Sequence, residues 1–202
     1  MIAPPQPHLS AEDYLQLEAE SLTKHEYIDG EAYAMAGASD VHVTIAGNVF
    51  ALLRSHLRGS GCRVYIADMK VRIATRNCFY YPDVMVTCDP QDQETSTYKQ
   101  CPKLIVEVLS DSTEAFDRGD KFVDYQAIAN LEEYVLINTR HQRVECFRRS
   151  TEGQWTLAYY TPDTEAVQLT SVGLAVPLAD LYEDVDLSSL AGAALPADAR
   201  DR

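Results

Sequence analysis

The chain carries none of the marks of a membrane span, an exported protein or a disulfide scaffold. Within its 202 residues no apolar run approaches the roughly 18 that a bilayer-crossing helix needs. The first residues, Met1 to His8, hold neither a basic patch nor an apolar core of the kind that opens a secretory signal. A soluble, unexported, cytoplasmic protein is the expectation. Cysteine is sparse, at positions 62, 78, 88, 101 and 146. The number is odd and no Cys-x-x-Cys pair occurs, so neither a disulfide framework nor a structural zinc site is expected, and reduced thiols are. Basic residues are also scarce: 17 Lys and Arg stand against 31 Asp and Glu, for a formal charge of -14. That balance excludes broad, non-specific affinity for nucleic acid, which depends on cations neutralising phosphates. There are no internal repeats.

What is present suffices for a core. Hydrophobic residues make up 46% of the chain, enough at this length for one well-buried domain, expected over residues 1–184, with an Ala-, Asp- and Ser-rich disordered tail over 185–202. Ser10 is a suitable N-cap for a short helix from Ala11 that ends before Lys24. Asp29-Gly30, between His25–Ile28 and Glu31–Met35, signals a tight hairpin. Ile45, Val49, Leu52, Leu53 and Leu57 recur at helical spacing between Asp40 and Leu57, and Gly59-Ser60-Gly61 stops that helix. Strands are predicted at 64–67, 70–74, 79–88 with a break at Pro82, and 103–109, with 89–100 as a polar loop. A helix from Glu114 to about Ala129 follows, then strands at 133–138, 143–149, 155–160 and 167–170. This order predicts a mixed α/β (α+β) fold, a mixed β-sheet flanked by helices with an N-terminal helix and hairpin, and not a regularly alternating doubly wound one.

The chemistry concentrates between Tyr80 and Lys121. Lys103-Leu104-Ile105-Val106-Glu107-Val108-Leu109 is apolar on both faces except for a single carboxylate. A buried strand tolerates an ionised Glu only if it is paired, hydrogen-bonded or metal-bound. The pleat puts Lys103, Ile105, Glu107 and Leu109 on one face. Asp83 follows Pro82 at the head of a neighbouring strand, and two such hard oxygen donors suit Mg²⁺ or Mn²⁺.

Pro82-Asp83 followed by Glu107 in an apolar strand resembles the PD-(D/E)XK nuclease superfamily. The longer series is more specific. Pro82-Asp83-Val84, Glu107-Val108-Leu109-Ser110, Asp117-Arg118-Gly119-Asp120-Lys121, Tyr125 and Glu132-Glu133-Tyr134 resemble, in order, the restriction-endonuclease-like family called Uma-two. Ile28-Asp29-Gly30-Glu31, the Ser39 to His42 segment and Val176-Pro177-Leu178 extend the likeness over about residues 10 to 184. The resemblance implies a restriction-endonuclease-like central sheet and Mg²⁺-dependent hydrolysis of phosphodiester bonds. It assigns Asp83 and Glu107 to the metal and Lys121 to the water. The lysine usual two residues after the acid is Leu109 here, and Lys103 lies about 13 Å from Glu107 at ordinary strand rise. The family likeness places the active-site lysine on the following helix, at Lys121. Asp117 and Tyr125, four residues either side of it, share its helical face. His42, at a helix start, is a candidate contact to metal or substrate. Glu26 and Glu31, beside the hairpin turn, are expected to be solvated strand ends.

Against the acidic background, Arg54, Arg58, Arg63, Lys70, Arg72 and Arg76 oppose one acid, Asp68, and make this segment the candidate contact to a nucleic acid, DNA by expectation. Arg140, Arg143, Arg148 and Arg149 form a second basic cluster. A homodimer is expected by analogy with restriction enzymes that cut both strands. The rival expectations are a nucleic-acid-binding or regulatory module that keeps the fold without turnover, and a structural oligomer whose acids are locked in salt bridges.

Overall fold

The computed structural model describes residues 8–187; the expected tail lies almost wholly outside them. In chain order the elements are α1 (Ala11–Glu20), β1 (His25–Ile28), β2 (Glu31–Ala34), α2 (Asp40–His56), β3 (Arg63–Ile66), β4 (Lys70–Ile73), β5 (Cys78–Tyr80), β6 (Val84–Thr87) and β7 (Tyr98–Lys99). There follow β8 (Pro102–Val108), α3 (Glu114–Arg118), α4 (Asp120–Tyr125), β9 (Glu133–Ile137), β10 (Val144–Arg149), β11 (Trp155–Tyr160), β12 (Val167–Leu169), β13 (Leu174–Val176) and α5 (Leu178–Leu181). The fold is mixed α/β, but its strands divide among sheets. One has the order β2-β1-β5-β4-β7, a second β11-β10-β9-β8-β6-β3, and β12 pairs with β13 alone. Within the six-stranded sheet β8 and β9 run parallel and the other neighbours antiparallel.

Local chemistry sets the element ends. Ser10 accepts a hydrogen bond from Asp13 N and Ser39 one from His42 N, each satisfying a free donor in the first turn of its helix. Asp29 and Gly30 adopt φ of 42° and 95°, the left-handed pair that a two-residue hairpin needs. A Cβ on Gly30 would also collide with the His8 ring. The long helix expected after Glu107 is instead two short ones that meet at Gly119, whose backbone leaves the helical region, and the second ends at Tyr125, short of Ala129. Tyr98-Lys99, within the expected polar loop, pairs in parallel with β4.

The layers follow from strand alternation. Leu104, Val106 and Val108 face the same core as Ile45, Val49 and Leu53 of α2. Burying each such side chain contributes about 1.5–3 kcal/mol. Ile105, Leu109, Met85, Tyr134 and Leu136 pack on the opposite side with Phe122 and Tyr125 of α4 and Val71, Ile73 and Tyr80 of the five-stranded sheet. The far face of that sheet holds Tyr27 and Phe79 against Tyr14 of α1. One cysteine expectation is corrected: Cys62 and Cys88 form a disulfide, while Cys78, Cys101 and Cys146 are free. The β3–β6 register, Arg63 opposite Thr87, continues one step to set these two residues against each other. Their 26-residue separation gives no hint of this in the sequence. Among the described residues no helix is long and apolar enough to cross a membrane.

Candidate active site

The polypeptide leaves the five-stranded sheet after Tyr80 and joins the six-stranded sheet at Val84, so Tyr81-Pro82-Asp83 spans the seam between them. Pro82 lacks the N–H that would let β5 continue pairing. Because Val84 lies opposite Val106, the next step brings Asp83 against Glu107. Asp83 N donates to Glu107 Oε2 at 3.3 Å, and Val108 N donates to Asp83 Oδ2 at 2.7 Å. His42, in the first turn of α2, places Nε2 2.9 Å from Asp83 Oδ1. The Asp83 carboxylate is thus held at both oxygens.

Glu107 is buried, 3% exposed. Its Oε1 accepts from Tyr125 Oη at 2.9 Å and lies 3.0 Å from Lys121 Nζ. The same ammonium is 3.1 Å from Glu26 Oε1 and 3.4 Å from Asp117 Oδ1. The break at Gly119 keeps Asp117 and Lys121 on one side although they belong to different helices. Burial pushes the Glu107 carboxyl well above its ordinary range; Lys121 counters this, and Asp117, Asp83 and Glu26 reinforce it. Burial would lower Lys121, but Glu107, Glu26 and Asp117 outweigh it and hold the ammonium well above its usual value. Four carboxylates therefore surround one lysine and one histidine.

Asp83, Glu107, Lys121, His42, Asp117 and Tyr125 all come together here, although Tyr125 holds Glu107 and not the lysine. Glu26 joins them too, contrary to the expectation of a solvated strand end. It accepts from Tyr81 N at 3.3 Å and pairs with Lys121. Alternation explains its place in the fold: Tyr27 packs against Tyr14 of α1, so Glu26 faces the other side, between the sheets. Glu31 lies on a fully exposed strand, where its carboxylate accepts from Tyr33 Oη, as a strand end at the surface. Lys103 pairs with Glu132 at 3.2 Å, away from the cluster.

The six bases of the Arg54 to Arg76 segment do not share one surface. Arg54, Arg58 and Arg63 are exposed, but Arg54 stands about 18 Å along α2 from His42 at the usual helical rise. Lys70 is buried against Tyr81. Arg72 lies over Phe79 and Tyr98, and Arg76 pairs with Asp124. The second cluster disperses similarly: Arg140 pairs with Asp111, Arg143 with Glu145 and Arg148 with Glu133, while Arg149 donates to the carbonyls of Gln126, Ile128 and Ala129.

The donor chemistry of the cluster fits a divalent cation. Asp83, Glu107 and Glu26 offer hard oxygens, Glu107 buried and the other two partly exposed, and their excess over nearby cations is the charge a cation would balance. Among the described residues no group of three or more His, Cys, Asp or Glu side chains is placed so that it could hold a metal ion by itself. Mg²⁺ tolerates that, since it takes one or two carboxylates and fills its remaining positions with water and phosphate.

Comparisons with known proteins show the family and the fold. A family model described as "Uma2: Putative restriction endonuclease" matches residues 11–179. The chain is 38% identical over 178 residues to "Uncharacterized protein slr1290" of Synechocystis sp. (strain ATCC 27184 / PCC 6803 / Kazusa), covering 88% of this chain and 93% of that protein. It is 37% identical over 151 residues to "Uncharacterized protein sll1609" of the same organism, covering 74% and 85%. The fold matches the crystal structure of a protein described as a "putative nuclease belonging to DUF820" from Anabaena variabilis ATCC 29413. That match has a TM-score of 0.70 at 17% identity, over 86% of this chain and 97% of the other.

Proposed function

Because the chain belongs to the Uma2 family of restriction-endonuclease-like proteins, we propose that it is a Mg²⁺- or Mn²⁺-dependent endonuclease that hydrolyses nucleic-acid phosphodiester bonds with Asp83, Glu107 and Lys121. The observation that carries this reading is that Glu107 of β8 accepts from the backbone N of Asp83 at the seam and lies against Lys121 of α4, within a cluster of carboxylates.

Asp83 and Glu107 would hold the cation, with Glu26 beside them. When bound, the cation would lower the pKa of a water and stabilise charge on a phosphoryl oxygen. The chain's own groups supply positioning. His42 and Val108 N fix the Asp83 carboxylate, and Tyr125 fixes Glu107, so neither acid must reorganise as the reaction proceeds. Lys121 acts as a donor at Nζ, orienting the attacking water and offsetting charge on the phosphate. A pair of copies acting on the two strands of a duplex completes the reading, by analogy with restriction enzymes.

A binding module without turnover is the second reading, favoured by the engagement of Lys121 with three carboxylates at once. The two separate in a cleavage assay on plasmid, single-stranded DNA and RNA with Mg²⁺ or Mn²⁺, comparing wild type with Glu107→Ala and Lys121→Ala. The nuclease reading expects cleavage by wild type and its loss in both variants. Cleavage that survives both substitutions overturns the assignment.

A further inference from the structure

A second polar corner flanks the same seam on the opposite face of the five-stranded sheet, and the proposed reaction makes no use of it. Val71 pairs with Tyr80 and Tyr27 with Phe79, so the next steps put Lys70 and His25 on either side of Tyr81. Lys70, only 9% exposed, donates to Tyr81 Oη at 3.1 Å and lies 5.0 Å from the centre of its ring. Lys24 approaches the same ring to 5.9 Å. Two ammonium groups therefore share one aromatic side chain.

Among the described residues, no carboxylate neutralises Lys70 by direct contact. The adjacent one, Glu18, is occupied by His25 N at 3.0 Å, His25 Nδ1 at 3.1 Å and Tyr81 Oη at 2.7 Å. Lys24 meets Asp68, a carboxylate 78% exposed, and so exposed a pair contributes little. Burial lowers the Lys70 pKa; Glu18 opposes that shift and Lys24 adds to it. Paired cations at this cost are relieved by an anion. The corner also adjoins the reaction site. Ala67 N donates to Asp83 O at 2.9 Å, anchoring the short segment that carries Asp68 and Lys70 to the backbone of the metal-binding acid. Tyr81 itself joins the corners, since its backbone N holds Glu26.

We propose that Lys24, Lys70 and Tyr81 form a phosphate subsite that binds the nucleic-acid backbone beside the phosphodiester being cleaved, with Lys70 as floor and Lys24 as open rim. This subsite rests on the nuclease reading for its ligand, but its test is separable. The full-length Glu107→Ala protein is titrated with a labelled duplex oligonucleotide across a salt series, with and without Lys24→Ala, Lys70→Met or both. The double substitution is expected to weaken binding about tenfold or more and to lower the slope of log Kd against log salt by about 0.9 for each phosphate no longer neutralised. Lys24→Arg should restore the slope. Lys24→Ala alone serves if Lys70→Met fails to fold, since Lys24 is exposed. An unchanged slope in folded variants overturns the subsite, whether or not the wild type cleaves. A lysine-dependent slope with no wild-type cleavage supports the subsite and overturns only the nuclease reading. In a parallel arm with inorganic phosphate, lysine-dependent thermal stabilisation together with no oligonucleotide binding assigns the corner to free phosphate and overturns the backbone ligand.

Discussion

The two polar corners on either side of Tyr81 pair their lysines in different ways. Toward the six-stranded sheet, Glu26, Asp83, Glu107 and Asp117 surround Lys121 and His42. Toward α1, Lys24 and Lys70 share a ring, with no described carboxylate touching Lys70. Both corners sit at the end of one strand, β5, and strand alternation alone sends their side chains to different faces. Burial does not by itself define a lysine's role. Lys121 is raised by three carboxylates, whereas Lys70 is lowered by burial with a second lysine beside it. In one corner carboxylates outnumber cations, and in the other a buried lysine lacks a carboxylate in direct contact, a contrast that a metal-bound phosphodiester would address from both sides.

The largest blow to this contrast is Lys121→Ala. It leaves buried Glu107 and Asp117 beside partly exposed Glu26 with no cation between them, and the unfolding free energy in urea should fall by about 3–5 kcal/mol, as when one partner of a buried ion pair is removed. A loss below about 1 kcal/mol would mean that the carboxylates do not depend on this cation. Glu107→Gln should act differently. It keeps an acceptor for Tyr125 Oη and removes surplus charge, so the variant should be at least as stable as wild type at neutral pH, while Mn²⁺ binding by calorimetry and cleavage are lost. The pH dependence has a definite sign. A carboxyl whose folded pKa is raised stabilises the fold fully below its unfolded value near 4.5 and loses that contribution as pH rises through the folded value. Wild type should therefore show a decline in stability upward from pH 4.5 that Glu107→Gln lacks, read from urea midpoints at several pH values. Tyr81→Phe is the mildest probe, because it spares the backbone N that holds Glu26. Losing the hydroxyl shared by Lys70 and Glu18 should cost about 1–3 kcal/mol; no cost would mean the two groups need no bridge.

Much of this was legible in residue order. The Asp29-Gly30 hairpin, the caps at Ser10 and Ser39 and the apolar stripe of α2 depend on local chemistry, and the sequence displays local chemistry directly. Glu107 stood out because a carboxylate in so apolar a strand requires a partner. Glu26 did not, because a four-residue strand with one acid looks the same whether its polar side meets solvent or a second sheet. The division into two sheets was likewise hidden: Pro82 announces a break but not that the chain changes sheets there. The Arg54 to Arg76 run looked continuous because sequence proximity conceals that a helix end, a strand face and a loop point in different directions. The Cys62–Cys88 bridge depends on cross-strand register, which no spacing within one strand reveals.

The seam at Tyr81-Pro82-Asp83 has a consequence for when the site comes into being. Its members come from β1 and the first turn of α2, from the crossing itself, and from β8, α3 and α4. Neither sheet holds the constellation alone. A nascent or partly melted chain thus carries scattered acids and lysines with no competent centre. The constellation exists only where the two sheets have closed on each other.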